Sequence, residues 1–227
     1  QRQGLAHYLE HMLFLGTEKY PSVEEFGEYL ERNGGSNNAY TARDRTNYHL
    51  EVRPDAFEGA LDRFAQFFIA PKFTPEFNAR EVNAVNSEFQ KNLENDSWRG
   101  FALRNSTYRE GHPARNFNIG SVETLAGTTR EELLAFHRRY YSANRMVLSA
   151  AGKIDHDRLV RHAEALFGGM NGGKGGRFEP ARYGGGARSS AKPFELCYLL
   201  MPRARTSNRA VAFFADTAFL GSVGGGI

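Results

Sequence analysis

His7-Tyr8-Leu9-Glu10-His11 sets two imidazoles four residues apart, with a carboxylate immediately before the second. On an α-helix each residue advances by roughly 100°, so His7, Glu10 and His11 project from one face about one turn apart. Two neutral imidazoles at that spacing can hold one Zn²⁺ at ~2.0–2.1 Å each, while a flanking carboxylate can reach an activated water without ligating. The commoner order, H-E-x-x-H, puts its Glu on the other flank of the same pair. Reversing the order keeps the chemistry and mirrors the geometry. The pattern is short, and helical histidines also serve as partners for carbonyls or carboxylates. The pentapeptide alone therefore leaves both readings open, and the metal reading requires a third ligand.

A second helix is expected over residues 74 to about 95. Thr74 suits an N-cap, Pro75 suits the first helical position, and Phe77, Val82, Val85 and Phe89 supply an apolar component. Glu81 and Glu88 lie seven residues apart, two helical turns, and so share a face. One could ligate a metal while the other orients a ligand from behind. A solvated acidic face would look the same by spacing.

Between these helices, Gly34-Gly35-Ser36-Asn37-Asn38-Ala39-Tyr40-Thr41 is small and polar. It turns through Ala42 to Arg45 into Thr46-Asn47-Tyr48-His49-Leu50-Glu51-Val52, which alternates like a half-buried strand. A hairpin is expected, with Asn37 to Thr41 near a sheet edge. It is either a place where another backbone can lie or an ordinary surface hairpin.

The remaining pattern is that of an α+β unit. Ser22 with Glu25 and Thr129 with Glu132 have capping-box spacing. Asp55 is placed to cap a helix carrying Phe57, Leu61, Phe64 and Phe68. Residues 145–151 read as a strand, and residues 155–167 as a helix stopped by Gly168-Gly169. With 227 residues and 41% hydrophobic content there is enough for a core. No apolar run approaches the ~20 residues of a membrane helix. The net charge of +3 is mild and its basic residues are scattered. Neither a membrane nor a nucleic-acid partner is expected. The single cysteine, Cys197, forbids an intrachain disulfide and reads as a small apolar residue. His49, His112, His137, His156 and His162 lack ligand spacing and read as surface or structural histidines. Trp98 and Arg99 read as packing residues.

The run from Gly4 to Thr17, followed by Glu81-Val82-Asn83-Ala84-Val85-Asn86-Ser87-Glu88 and Asn95-Asp96-Ser97-Trp98-Arg99, closely resembles the insulinase/pitrilysin family of inverted-motif zinc metallopeptidases. The resemblance runs on through His112 to Gly169. It implies an α+β unit, with a mixed, largely antiparallel sheet and helices packed mainly on one face. By position it implies that His7, His11 and Glu88 ligate one Zn²⁺, that Glu10 is the general base, and that Glu81 supports the ligands. It also implies that Asn38, Ala39 and Tyr40 bind an extended substrate as an added strand. The activity implied is endopeptidase cleavage of peptides and small unfolded polypeptides by a zinc-activated water. Non-catalytic scaffold relatives typically lose part of this residue set, and here every position carries the matching type. The alternatives are a scaffold subunit of the same fold, or a zinc-binding but inactive fragment.

The expected division is a catalytic domain over 1–170, truncated at its start, a Gly-rich linker over 171–193, and a partial second unit or a non-native tail over 194–227. Phe194 to Met201 could begin the next unit. Val211 to Phe219 could be a helix, a strand or sequence out of its native context. The chain starts three residues before Gly4 without an initiator Met, which suggests a fragment. The family implies a missing C-terminal half, or a partner subunit, that closes over the substrate. Resemblance to bacterial pitrilysin-like enzymes points to a periplasmic home, with the cytosol as the alternative.

Overall fold

Helix α1 (Leu5–Leu13) carries the motif and is almost wholly inside. Leu5, Ala6, Tyr8, Leu9, Glu10, Met12 and Leu13 are buried, and the two half-buried positions are His7 and His11. The helix therefore has an apolar body that anchors it and one polar seam that reaches a cleft. The computed structural model describes residues 2–152, 154–168, 170 and 210–216.

Around α1 the order is α2 (Glu25–Arg32), β1 (Ser36–Thr41), β2 (Thr46–Val52), α3 (Phe57–Ile69), α4 (Asn78–Leu93), α5 (Asp96–Ser106), α6 (Val122–Leu125), α7 (Arg130–Tyr140), β3 (Met146–Ala151), α8 (His156–Phe167) and β4 (Ala210–Asp216). The strands form one sheet in the order β1-β2-β4-β3, and all three pairings are antiparallel. This is the expected α+β class with an antiparallel sheet. The expected hairpin is present, with Thr41 opposite Thr46 and the turn closed by the Ala42 amide donating to the Arg45 carbonyl at 2.8 Å. In β2, Thr46, Tyr48, Leu50 and Val52 are buried while Asn47, His49 and Glu51 are half-buried. One face therefore meets the core, as period-2 alternation requires.

That core is aromatic. Phe26 packs edge-on to Phe67 at 4.9 Å between ring centroids, Phe64 to Phe68 at 5.2 Å, and Phe14 to Phe67 at 5.1 Å. The Tyr48 and Tyr141 hydroxyls, both carried into the interior, satisfy each other at 2.7 Å.

Residues 210–216, expected to begin a second unit or to lie in a tail, form β4 between β2 and β3. Their sequence, Ala210-Val211-Ala212-Phe213-Phe214-Ala215-Asp216, is a nearly continuous apolar run, the pattern of a strand flanked on both sides. The expected linker 171–193, the strand 194–201 and Cys197 lie outside the described residues.

Two caps form differently from expectation. Glu25 accepts from Arg63 Nε at 2.7 Å, and α2 starts without a side-chain cap. Asp55 sits in a 3-10 turn (Pro54–Ala56) ahead of α3, where Arg53 approaches it at 3.5 Å. The Thr129/Glu132 capping box does form, and so does the Asp155 cap of α8.

His137 is one of the expected structural histidines and is deeply buried. Its Nε2 donates to the Phe67 carbonyl at 3.1 Å, and its ring stacks on Tyr141 at 4.9 Å. Burial pushes its pKa down to about 4 from the usual 6.5. A depressed folded value means the unfolded chain binds more protons between those limits, so stability is full above about pH 6.5 and falls as pH drops toward 4. Between pH 7 and pH 5 this one group should cost about 2 kcal/mol. Urea unfolding of the wild type and His137→Gln at both pH values checks it. The variant should lose less stability over that interval, and parallel losses would remove His137 as the cause.

Candidate active site

Helix α4 packs against α1 and brings a second polar seam to the first. On α4, Val85 is fully buried and Glu81 nearly so, whereas Glu88 is exposed toward the cleft. The expected stacking of Glu81 and Glu88 on one face is thus present, with Glu81 inside and Glu88 outside.

The two imidazoles are oriented from behind. His7 Nδ1 lies 3.0 Å from the Ile119 carbonyl oxygen. A carbonyl only accepts, so Nδ1 carries the proton and Nε2 presents its lone pair. His11 Nδ1 meets Glu81 Oε2 at 3.4 Å, and Glu81 Oε1 is held by Arg80 Nε at 2.9 Å. That leaves both Nε2 atoms facing Glu88. His7 Nε2 is 3.4 Å from Glu88 Oε2, and His11 Nε2 is 3.5 Å from Glu88 Oε1.

These distances test the donor set against a metal. Tetrahedral arms of ~2.0–2.1 Å imply ligand–ligand edges of roughly 3.3–3.4 Å. One ligand atom from each of His7, His11 and Glu88 lies within 4.8 Å of the other two. The residues fit a single Zn²⁺, and N/N/O donors with an open position are the type a catalytic site uses.

The electrostatics agree with a site poised to gain a cation. Burial, and then the neighbouring His11, pull the His7 pKa below its ordinary value. For His11 the pull of burial is outweighed by the hydrogen bond to Glu81 and the charges of Glu88, Glu10 and Glu81, and its pKa rises. Glu81 is held below the ordinary carboxylate range, chiefly by its bond to His11. Glu10 is 6% exposed, and burial pushes its carboxyl up to about 7.

Glu10, His7, His11 and Glu88 line a cleft of about 490 Å³ whose opposite wall includes Asn38, Ala39 and Tyr40 of β1. In the described sheet β1 is an edge strand, paired only with β2. Its backbone edge and the polar seam of α1 therefore border one space. Trp98, read from sequence as a packing residue, packs edge-on against Phe101 and Phe117 and also lines the cleft.

Sequence reasoning missed two contacts that shape the site. One is the Ile119 carbonyl behind His7. The other is Thr41, whose Oγ1 donates a hydrogen bond to Glu10 Oε2. Strand alternation was the available signal for Thr41, since it places Thr41 on the same side of β1 as Asn37 and Ala39.

Comparison with known proteins gives a consistent picture. The family model described as insulinase, peptidase family M16, matches residues 1–111, and the one described as the peptidase M16 inactive domain matches residues 128–214. The Arabidopsis thaliana protein named insulin-degrading enzyme-like 2 is 46% identical over 175 residues, covering 74% of this chain and 18% of the relative. The Schizosaccharomyces pombe protein named "Putative zinc protease mug138" is 48% identical over 171 residues, covering 72% of this chain and 18% of the relative. The crystal structure of pitrilysin superposes with a TM-score of 0.70 at 37% identity, over 76% of this chain and 19% of that one. The chain thus spans less than a fifth of the length of these relatives.

Proposed function

The chain belongs to the insulinase (M16) family of peptidases, and we propose that it carries the hydrolytic centre of a zinc metalloendopeptidase acting on peptides and small unfolded polypeptides. The observation that carries this reading is the convergence of His7 Nε2, His11 Nε2 and the Glu88 carboxylate beside a buried Glu10. His7, His11 and Glu88 would hold one Zn²⁺. When bound, the ion would polarise a water and the scissile carbonyl.

The chain's own groups do the rest. Glu10 takes a proton as the water oxygen bonds to the carbonyl carbon, and returns it to the amine nitrogen as the C–N bond breaks. Burial of Glu10 raises its affinity for that proton, which suits a group that must both accept and release it near neutral pH. Glu81 holds His11, and the Ile119 carbonyl holds His7, so that neither ring turns away. Asn38, Ala39 and Tyr40 offer a strand edge on which an extended substrate adds main-chain hydrogen bonds. A second half of the same family, in a longer protein or as a partner subunit, would close over the cleft.

Zinc stoichiometry of the purified chain, together with cleavage of a quenched fluorescent peptide, tests this. One zinc with turnover supports the proposal. One zinc without turnover would make this a binding site that needs its closing half, and no zinc would overturn the metal assignment. Within the set, Glu81→Ala should weaken zinc binding by about 10–100-fold, as loss of a group that orients a ligand does. Glu88→Ala should weaken it further, and the reverse ranking in a chelator competition would exchange their roles.

A further inference from the structure

We propose that Thr41, backed by Thr46, is the positioning residue for Glu10; the inference rests on the base assignment above. Glu10 is 6% exposed, so its carboxylate has given up most of its water. Among the described residues the hydrogen bond it receives comes from Thr41 Oγ1, at Oε2. None of them bonds Oε1. One oxygen is therefore fixed and the other is left for the attacking water.

The direction of the chain behind it follows by counting protons. The Thr41 hydroxyl has a single hydrogen, and Glu10, as an ionised base, can only accept it. The 3.1 Å contact between Thr41 Oγ1 and Thr46 Oγ1 must then run from the Thr46 proton to a Thr41 lone pair. Thr46 is 4% exposed and sits directly opposite Thr41 in the hairpin, so it locks the Thr41 rotamer. The Thr41 backbone is held as well, because its carbonyl accepts from Asn118 Nδ2 at 3.3 Å. Asn118 adjoins Ile119, whose carbonyl orients His7. One short loop thus steadies a metal ligand on α1 and the strand end that steadies the base. A Glu side chain has three rotatable bonds, and a displacement of about 1 Å at a reacting group can cost about 10²-fold in rate.

The test compares Thr41→Val, which keeps the shape and removes the hydroxyl, with Thr41→Ser, which keeps the hydroxyl. In Thr41→Val, kcat for a quenched peptide should fall about 10–100-fold, with KM and zinc content within about twofold of wild type. Thr41→Ser should recover most of it, and Thr46→Val should fall between. An unchanged kcat in Thr41→Val overturns the proposal. So does equal loss in Thr41→Val and Thr41→Ser accompanied by zinc loss, which would make Thr41 a packing residue. If the wild-type chain binds zinc without turnover, the site needs its closing half; if it binds no zinc, the metal reading itself is at fault. In either case a thermodynamic cycle on the metal-free chain decides the contact. Thr41→Val should lower the urea midpoint more when Glu10 is present than in Glu10→Ala. Equal shifts would mean that Thr41 does not hold Glu10.

Discussion

Glu10→Gln is expected to keep one zinc per chain and to lower kcat for peptide hydrolysis by about 10²–10⁴-fold, the usual contribution of a positioned proton-transfer group. The substitution separates chemistry from assembly because it changes almost nothing else. Glutamine has the same length and shape, and its carbonyl oxygen can still accept from Thr41 Oγ1. The His7, His11 and Glu88 contacts do not involve Glu10. In the metal-free chain, burial pushes Glu10 toward its neutral form, so a neutral amide at this position should leave the urea midpoint of that form unchanged or raise it. Zinc content, kcat and unfolding on one preparation check all three. Retained turnover would remove Glu10 from the chemistry. Loss of zinc would instead make Glu10 a ligand and force Glu88 into another role.

How much of this site was legible in the sequence depended on the distance over which each part is specified. The seams of α1 and α4 were readable because helix geometry fixes residues four and seven apart without reference to the rest of the fold. The pairing of the two seams spans 70 residues between His11 and Glu81, and what pointed to it was the chemical need for a third ligand together with the family resemblance. The Ile119 carbonyl was invisible, because a backbone oxygen carries no residue signature. Thr41 was nearly so, since a lone hydroxyl at a strand end resembles any other. Capping boxes were read correctly where nothing competed, as at Thr129/Glu132, and incorrectly where Arg63 reached Glu25 first. Helix α5 was not read as a helix of its own. Its one buried residue is Asn105, so it lacks the apolar stripe that marks a packed helix. Its signal was the Asn95 cap, whose side chain accepts from the Ser97 and Trp98 amides.

The dependence of the site on backbone contacts makes Gly4→Ala the substitution with the largest expected effect on stability, and it should damage the metal centre from outside it. Gly4 precedes α1 with φ at 79°, in the left-handed region that a side chain enters at a cost of about 1–2 kcal/mol. A Cβ at Gly4 would also lie 2.3 Å from the Gly120 Cα and 2.9 Å from the Ile119 carbonyl oxygen. Something must move, and both neighbours are backbone. Forced overpacking of this kind adds about 1–3 kcal/mol, for a total of about 2–5 kcal/mol. The carbonyl displaced is the one that orients His7, so zinc affinity should fall by about 10–100-fold in the molecules that still fold. Gly111→Ala isolates the cause. Its φ is 77°, yet a Cβ there meets nothing within 4 Å, so it carries the strain without the collision. It should lose about 1–2 kcal/mol and keep its zinc affinity. If the two variants lose equal stability, the close approach of Gly4 to Gly120 has no energetic weight; if Gly4→Ala unfolds more readily but binds zinc as well as Gly111→Ala, the Ile119 carbonyl does not orient His7.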